Sequence, residues 1–280
     1  MTSLTLGLIA ALCWGLHDIT IRYLSRSAPM MASLLFVLII GSVFQAGAFL
    51  FFETGAVSRE ALVMSALAGV AFLLANVGLY FSFARGPVRF VTPIIACFSV
   101  ISVGIALFEG ATLSLGQAAA IAALMTGILI VGIATPEDDA VFPPLLPTIG
   151  FALLAAFGFA ATFRLGQMAA EMSGDIEATL ISRITAFVLL GAVLVARAQP
   201  IWPGRAALIP LVGMGILDSI AIFSVVSAAP LPKPEYASVA TSTFGLLTIV
   251  LAWGLLKEAM SRAQWVGCLI TFSAVGYLAL

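Results

Sequence analysis

Charge is what this sequence has least of. Twelve basic and thirteen acidic side chains are spread over 280 residues, 9% of the chain, against about 25% in an average soluble domain. So little charge cannot clothe a water-soluble globule of this length. The formal net charge of −1 also excludes a basic face for nucleic acid. Histidine occurs once, at His17. Cysteine occurs at Cys13, Cys97 and Cys268, each inside an apolar run and with no CxxC pair. That leaves no zinc-ligand set and no disulfide framework. There is no P-loop, no HExxH and no nucleophile–base spacing, so no cofactor, resident metal or enzyme is expected. The N-terminus lacks the basic n-region and small-residue cleavage site of a secretory signal, and Leu12 before Cys13 spoils a lipoprotein-type processing site. The first apolar segment is therefore expected to be retained.

What fills the chain instead is apolar sequence, 62% of it. Splitting at charges, prolines and polar clusters leaves ten runs: 4–24, 30–52, 60–84, 89–108, 114–134, 147–169, 178–196, 206–228, 235–256 and 262–280. Each can cross a hydrocarbon core of about 30 Å as a helix, with 178–196 near the lower limit. The longest polar break, Thr135-Pro136-Glu137-Asp138-Asp139 followed by Pro143, Pro144 and Pro147, falls almost at the midpoint. An integral membrane protein follows, with two halves, 1–135 and 147–280, joined by 136–146.

The halves resemble each other. Gly7–Arg22 lies over Gly150–Leu165, with Trp14-Gly15 opposite Phe157-Gly158. Asn76 lies over Asp218 when Phe81 is set against Phe223. Leu107-Phe108-Glu109 resembles Leu256-Lys257-Glu258, and Gln117 and Gln264 each open an apolar helix. Five helices per half is an odd number, so the second half enters the membrane inverted. Charge agrees. Arg22, Arg26, Arg85 and Arg89 follow the first and third runs, whereas Arg197, Arg205, Lys257 and Arg262 flank the gaps after the seventh and ninth. In an inverted repeat these loops share one face. The fold class expected is an all-α membrane protein of ten transmembrane helices in two inverted five-helix repeats.

Several motifs resemble the drug/metabolite transporter superfamily, specifically its ten-helix EamA-like permeases. They are Ala11-Leu12-Cys13-Trp14-Gly15, Leu79-Tyr80-Phe81-Ser82-Phe83-Ala84, Pro93 in the fourth run, and Glu258-Ala259-Met260-Ser261-Arg262-Ala263-Gln264-Trp265-Val266-Gly267. The resemblance implies a central cavity between the repeats and export or exchange of small metabolites such as amino acids, in a bacterial inner (cell) membrane. Two positions depart from the pattern: two extra residues separate Glu109 from Gln117, and Ser242 stands where relatives often carry proline. Charge and resemblance give opposite orientations. The basic loops put both termini outside, whereas the resemblance puts them in the cytoplasm; in both, the termini share a side.

Polar groups inside the runs are few. Trp14, Asp18 and Arg22 recur every fourth residue with His17 beside them, so they share a helix face. Asn76 and Tyr80 are one turn apart, and Asp218 and Ser219 sit mid-run. Ionisable groups at that depth face a bundle interior or a wet cavity. For Asp218 this leaves a structural partner, Arg164 or Arg183, or a site for a proton or a substrate ammonium. For Arg164 and Arg183 themselves the expectation is snorkelling or pairing with Glu171, Asp175 or Glu177 near helix ends. The candidate substrate-binding set is Trp14, His17, Asp18, Asn76, Tyr80, Asp218 and Ser219. Trp14 and Tyr80 offer aromatic surface, Asn76 hydrogen bonds, and the aspartates charge. His17, the side-chain type that titrates near neutral pH, is a candidate proton relay, which makes protons the candidate coupling ion. The function expected is a secondary transporter of small polar or amphipathic metabolites by alternating access. A channel, an intramembrane enzyme using Asp18 and Asp218, and a non-transporting scaffold stay open beside it.

Overall fold

A computed structural model of the chain describes residues 2–24, 28–48, 55–85, 88–134, 144–256 and 260–278. The linker positions 135–143 and the side chains of Asp18 and Arg22 lie outside the described residues. Among the described residues there are twelve α-helices, one 3₁₀ turn and no strand. The helices are α1 (Ser3–Leu24), α2 (Met30–Ala48), α3 (Arg59–Arg85), α4 (Val88–Ala96), α5 (Phe98–Phe108) and α6 (Leu115–Ile133). They continue with α7 (Leu145–Ser173), α8 (Asp175–Ala196), α9 (Leu208–Val226), α10 (Glu235–Thr241), α11 (Phe244–Leu256) and α12 (Arg262–Leu278). In a bilayer every backbone group must find its partner within the segment, so long apolar runs become helices even when rich in Val and Ile.

Among the described residues, six stretches are long and apolar enough to cross a membrane: Met30–Gly47, Arg59–Ser82, Leu115–Ile133, Leu145–Ser173, Asp175–Ala196 and Arg205–Val226. Two shorter apolar stretches, Ser3–His17 and Pro93–Phe108, join them. The surface has the polarity of a protein dissolved in lipid. Leu146, Phe157, Val188, Val195 and Leu269 are exposed, while Ser65, Ser99, Thr162, Gln167, Thr241 and Thr271 are buried.

Two expected single helices are broken, each by its own chemistry. The run 89–108 divides at Cys97, one turn after Pro93. There the Cys97 N–H reaches Ile94 O at 3.2 Å and the thiol takes Pro93 O at 3.3 Å. The run 235–256 divides at Ser242 and Thr243. Their hydroxyls occupy Val239 O and Ala240 O at 2.7 Å each, and the Thr243 N–H tightens to Ala240 O at 3.2 Å. Hydroxyls that bond the preceding turn compete with the helix ladder and bend it. Serine and threonine at 242–243 thus break a helix without proline.

Helix starts repeat across the halves. Ser114 accepts the Gln117 N–H at 3.2 Å while Gln117 Oε1 accepts the Ser114 N–H at 3.0 Å. Ser261 and Gln264 form the same reciprocal pair before α12, at 3.2 and 2.8 Å. The matched glutamines are therefore capping boxes, which satisfy backbone donors that have no partner inside the helix.

Packing interleaves the chain's two ends. The α3 helix lies along α7 and also meets α8. The α1 helix lies on α9, α10 and α11, and α2 on α8 and α9. Small residues set the α3–α7 approach: a Cβ on Gly78 would come within 2.6 Å of Phe151 O, and one on Gly158 within 2.8 Å of Ala75. Close backbone approach is how helices pack when lipid offers no hydrophobic driving force.

Candidate functional site

Asp218, in the middle of α9, holds the centre of the bundle. Its Oδ2 accepts Arg183 Nη1 from α8 at 2.7 Å, and its Oδ1 accepts Trp14 Nε1 from α1 at 2.8 Å. Arg183 is 1% exposed and Asp218 5%. The pair is out of contact with water, so each charge is held by the other. The guanidinium lies 5.6 Å from the centre of the Phe72 ring on α3. Gly41 makes the room. A Cβ there would stand 2.5 Å from Arg183 Nη1 and 2.6 Å from Ser219 Oγ. Arg183 Nε and Nη2 are buried without a hydrogen-bond partner, and so are both amide atoms of Gln45, one turn beyond Gly41 on α2.

Beside the ion pair lies an aromatic cluster. The Trp14 ring stacks on Phe163 at 5.9 Å and touches Phe159 at 5.8 Å and Phe244 at 6.4 Å. Phe98 of α5 joins Phe159 at 5.9 Å and Phe163 at 5.5 Å. Offset and tilted aromatic contacts of this kind add about 0.5–1.5 kcal/mol each beyond burial. One helical turn further, at Ser102 after Phe98 and at Gln167 after Phe163, the lining turns polar. These residues line a partly open cavity of about 280 Å³ together with Glu109, Arg164, Glu235 and Ser238. Arg164 Nε donates to Glu109 Oε1 at 2.9 Å and pairs with Oε2 at 2.9 Å. A polar vestibule, an aromatic layer and a buried ion pair thus follow one another through the bundle.

The expected residues divide accordingly. Trp14, Asp218 and Ser219 come together around Arg183. Ser219 also donates to Gly215 O at 2.7 Å. Asn76 is buried and donates to Phe72 O at 2.8 Å, within its own helix. Tyr80, one turn on, is buried too, as is His17 on α1. Trp14 and Phe157, opposite each other in the repeat, differ: Trp14 is in the core and Phe157 is exposed.

Two expectations need correction. Arg183 neither snorkels nor pairs with a loop carboxylate, because it sits two turns into α8, where Gly41 admits its guanidinium and Asp218 faces it. Arg164 pairs with Glu109 across α5 and α7, not with Glu171, Asp175 or Glu177. Glu177 instead accepts the Gly55 N–H at 2.5 Å. Phe72 and Gln45 carried no signal by themselves: a phenylalanine and a glutamine inside apolar runs look the same wherever they face.

Residues 146–280 match the EamA-like transporter family. The second half of the chain is EamA-like. A solved crystal structure superposes with a TM-score of 0.81, covering 99% of this chain and 96% of its own, at 15% identity. At that identity it shows the fold alone, but it shows it for both halves. No curated protein matches the sequence. The EamA-like match over the second half and the long apolar helices together support an integral membrane protein.

Proposed function

We propose that this protein is a secondary transporter that carries a small polar or amphipathic metabolite by alternating access, in ten spans arranged as two inverted five-helix repeats. The repeats are 1–135 and 147–280, joined by 136–146. Helix pairing supports the two-fold relation: α3 lies on α7 as α9 lies on α1, and α2 lies on α9 as α8 lies on α3. The α6 and α12 helices meet at Gly127 and Gly267, each close to the other's carbonyl. In this arrangement α4–α5 and α10–α11 are the broken fourth spans of their halves.

The observation that carries the reading is the series from vestibule through aromatic layer to buried ion pair. The cavity bounded by Glu109, Arg164 and Glu235 is open on one side. The clustered rings of Trp14, Phe98, Phe159, Phe163 and Phe244 begin one helical turn from its Ser102 and Gln167. Beyond them, Asp218 and Arg183 wait in a dry core with hydrogen-bonding capacity unused on Arg183 and Gln45. That is a one-sided, closed state of a pathway. Trp14, His17, Asp18, Asn76, Tyr80, Asp218 and Ser219 line the inner segment in the open states, and protons are the coupling ion. A bacterial inner membrane is the location that fits the family.

The test is flux in proteoliposomes against an amino-acid and nucleoside panel, with and without a pH gradient. Saturable flux that a pH gradient accelerates, and that Asp218→Asn slows per folded molecule, is expected. Flux that rises linearly with concentration and ignores the gradient would point to a channel instead.

A further inference from the structure

Of the charges in the vestibule, Arg164 and Glu109 satisfy each other. Glu235 is left over. It stands in the first turn of α10, and among the described residues no ion pair or hydrogen bond engages its carboxylate. The basic residue nearest to it in sequence, Lys233, lies over the Tyr236 ring with Nζ 5.1 Å from the centroid. Around Glu235 the lining offers acceptors. Gln167 gives its amide N–H groups to Val225 O at 3.0 Å and Pro234 O at 3.3 Å, so what it has left is its carbonyl oxygen. Ser102, 8% exposed, keeps a buried Oγ without a partner. Two carboxylates against one guanidinium make the pocket's lining net negative by one charge.

We infer that this pocket binds a primary ammonium group, with Glu235 as its counter-charge and Ser102 and Gln167 as further acceptors. An ammonium carries three N–H donors and no acceptor, which complements an acceptor-rich lining with one uncompensated carboxylate. A carboxylate ligand would have to compete with Glu109 for Arg164 and would meet Glu235 as a like charge. The cavity of about 280 Å³ suits a short-chain amine. That such a compound is cargo rests on the transporter reading above; that it binds does not.

The experiment titrates the purified full chain in detergent micelles with propylammonium, n-propanol and propionate, and reads the thermal unfolding midpoint. Propylammonium is expected to raise the midpoint saturably, and the other two are not. Glu235→Gln should weaken propylammonium by about tenfold or more, the scale of a charge-assisted hydrogen bond. Glu60→Gln, an exposed carboxylate in the first turn of α3, should change nothing. Ser102→Ala removes an acceptor without altering charge and should weaken binding about threefold; it keeps the inference testable if Glu235→Gln does not fold. Preferential stabilisation by propionate, equal affinity in the variants, or no saturable shift in the wild type overturns it. Flux of other compounds without propylammonium binding sinks this inference and spares the transporter reading. Binding with no flux of any compound does the reverse.

Discussion

Removing one member of the Arg183–Asp218 pair is the most demanding test of the core. Arg183 Nη1 and Asp218 Oδ2 are 2.7 Å apart, with both residues almost fully buried. Arg183→Met leaves the Asp218 carboxylate with Trp14 Nε1 as its partner among the described residues. Asp218→Leu leaves a buried guanidinium that already has two nitrogens unpartnered. Breaking a buried pair from one side costs about 3–5 kcal/mol, because the orphaned charge stays out of water. Replacing both by apolar residues of similar volume removes that orphan, so the double variant should recover at least about 2 kcal/mol relative to the sum of the singles. Asp218→Asn should be milder than Asp218→Leu by about 1 kcal/mol, since an amide oxygen still accepts from Trp14. Equilibrium unfolding in mixed micelles, followed by helical circular dichroism, measures all four. Single costs below about 1 kcal/mol with an additive double variant would mean that the pair is hydrated or separated in the folded protein. The dry ion pair would then be wrong.

Four other substitutions probe the remaining elements. Gly41→Leu puts a side chain where Arg183 Nη1 and Ser219 Oγ lie within 2.6 Å of a Cβ and should cost about 1–3 kcal/mol or more by overpacking; a thermal midpoint equal to wild type would refute the close approach. Arg164→Gln breaks a pair whose side chains are 30% and 41% exposed, so it should cost under about 1 kcal/mol and less in high salt. Unfolding at two ionic strengths checks this. Ser114→Ala and Ser261→Ala each remove a capping box and should each cost about 0.5–2 kcal/mol; a large difference between them would contradict the equivalence of the two helix starts.

The apolar runs read as helices without any knowledge of packing, because a bilayer leaves a long apolar segment no other way to satisfy its backbone. Run and helix agree closely at 60–84 against Arg59–Arg85 and at 114–134 against Leu115–Ile133. Local chemistry was legible too where its partners lay within a turn: Gln117 and Gln264 mark two helix starts, whereas the break after Pro93 was not expected. The Ser242–Thr243 break was harder to see, since hydroxyls in an apolar helix more often just bond the turn before them. That Asp218 had to find a partner also follows from its depth alone, whatever the fold.

Which partner it found was a matter of geometry. Arg183 is 35 residues from Asp218, and Trp14 is 204 away. No period or spacing relates residues on separate helices. Their meeting depends on α1, α2, α8 and α9 converging and on Gly41 having no side chain at the crossing. The same holds for Glu109 and Arg164, 55 residues apart. Sequence sets which groups are too costly to leave alone in lipid, because that cost depends on the side chain and its depth. Only the tertiary structure sets which of them satisfy each other and which, like Glu235, are left for a ligand, because that depends on distances of a few ångströms between helices.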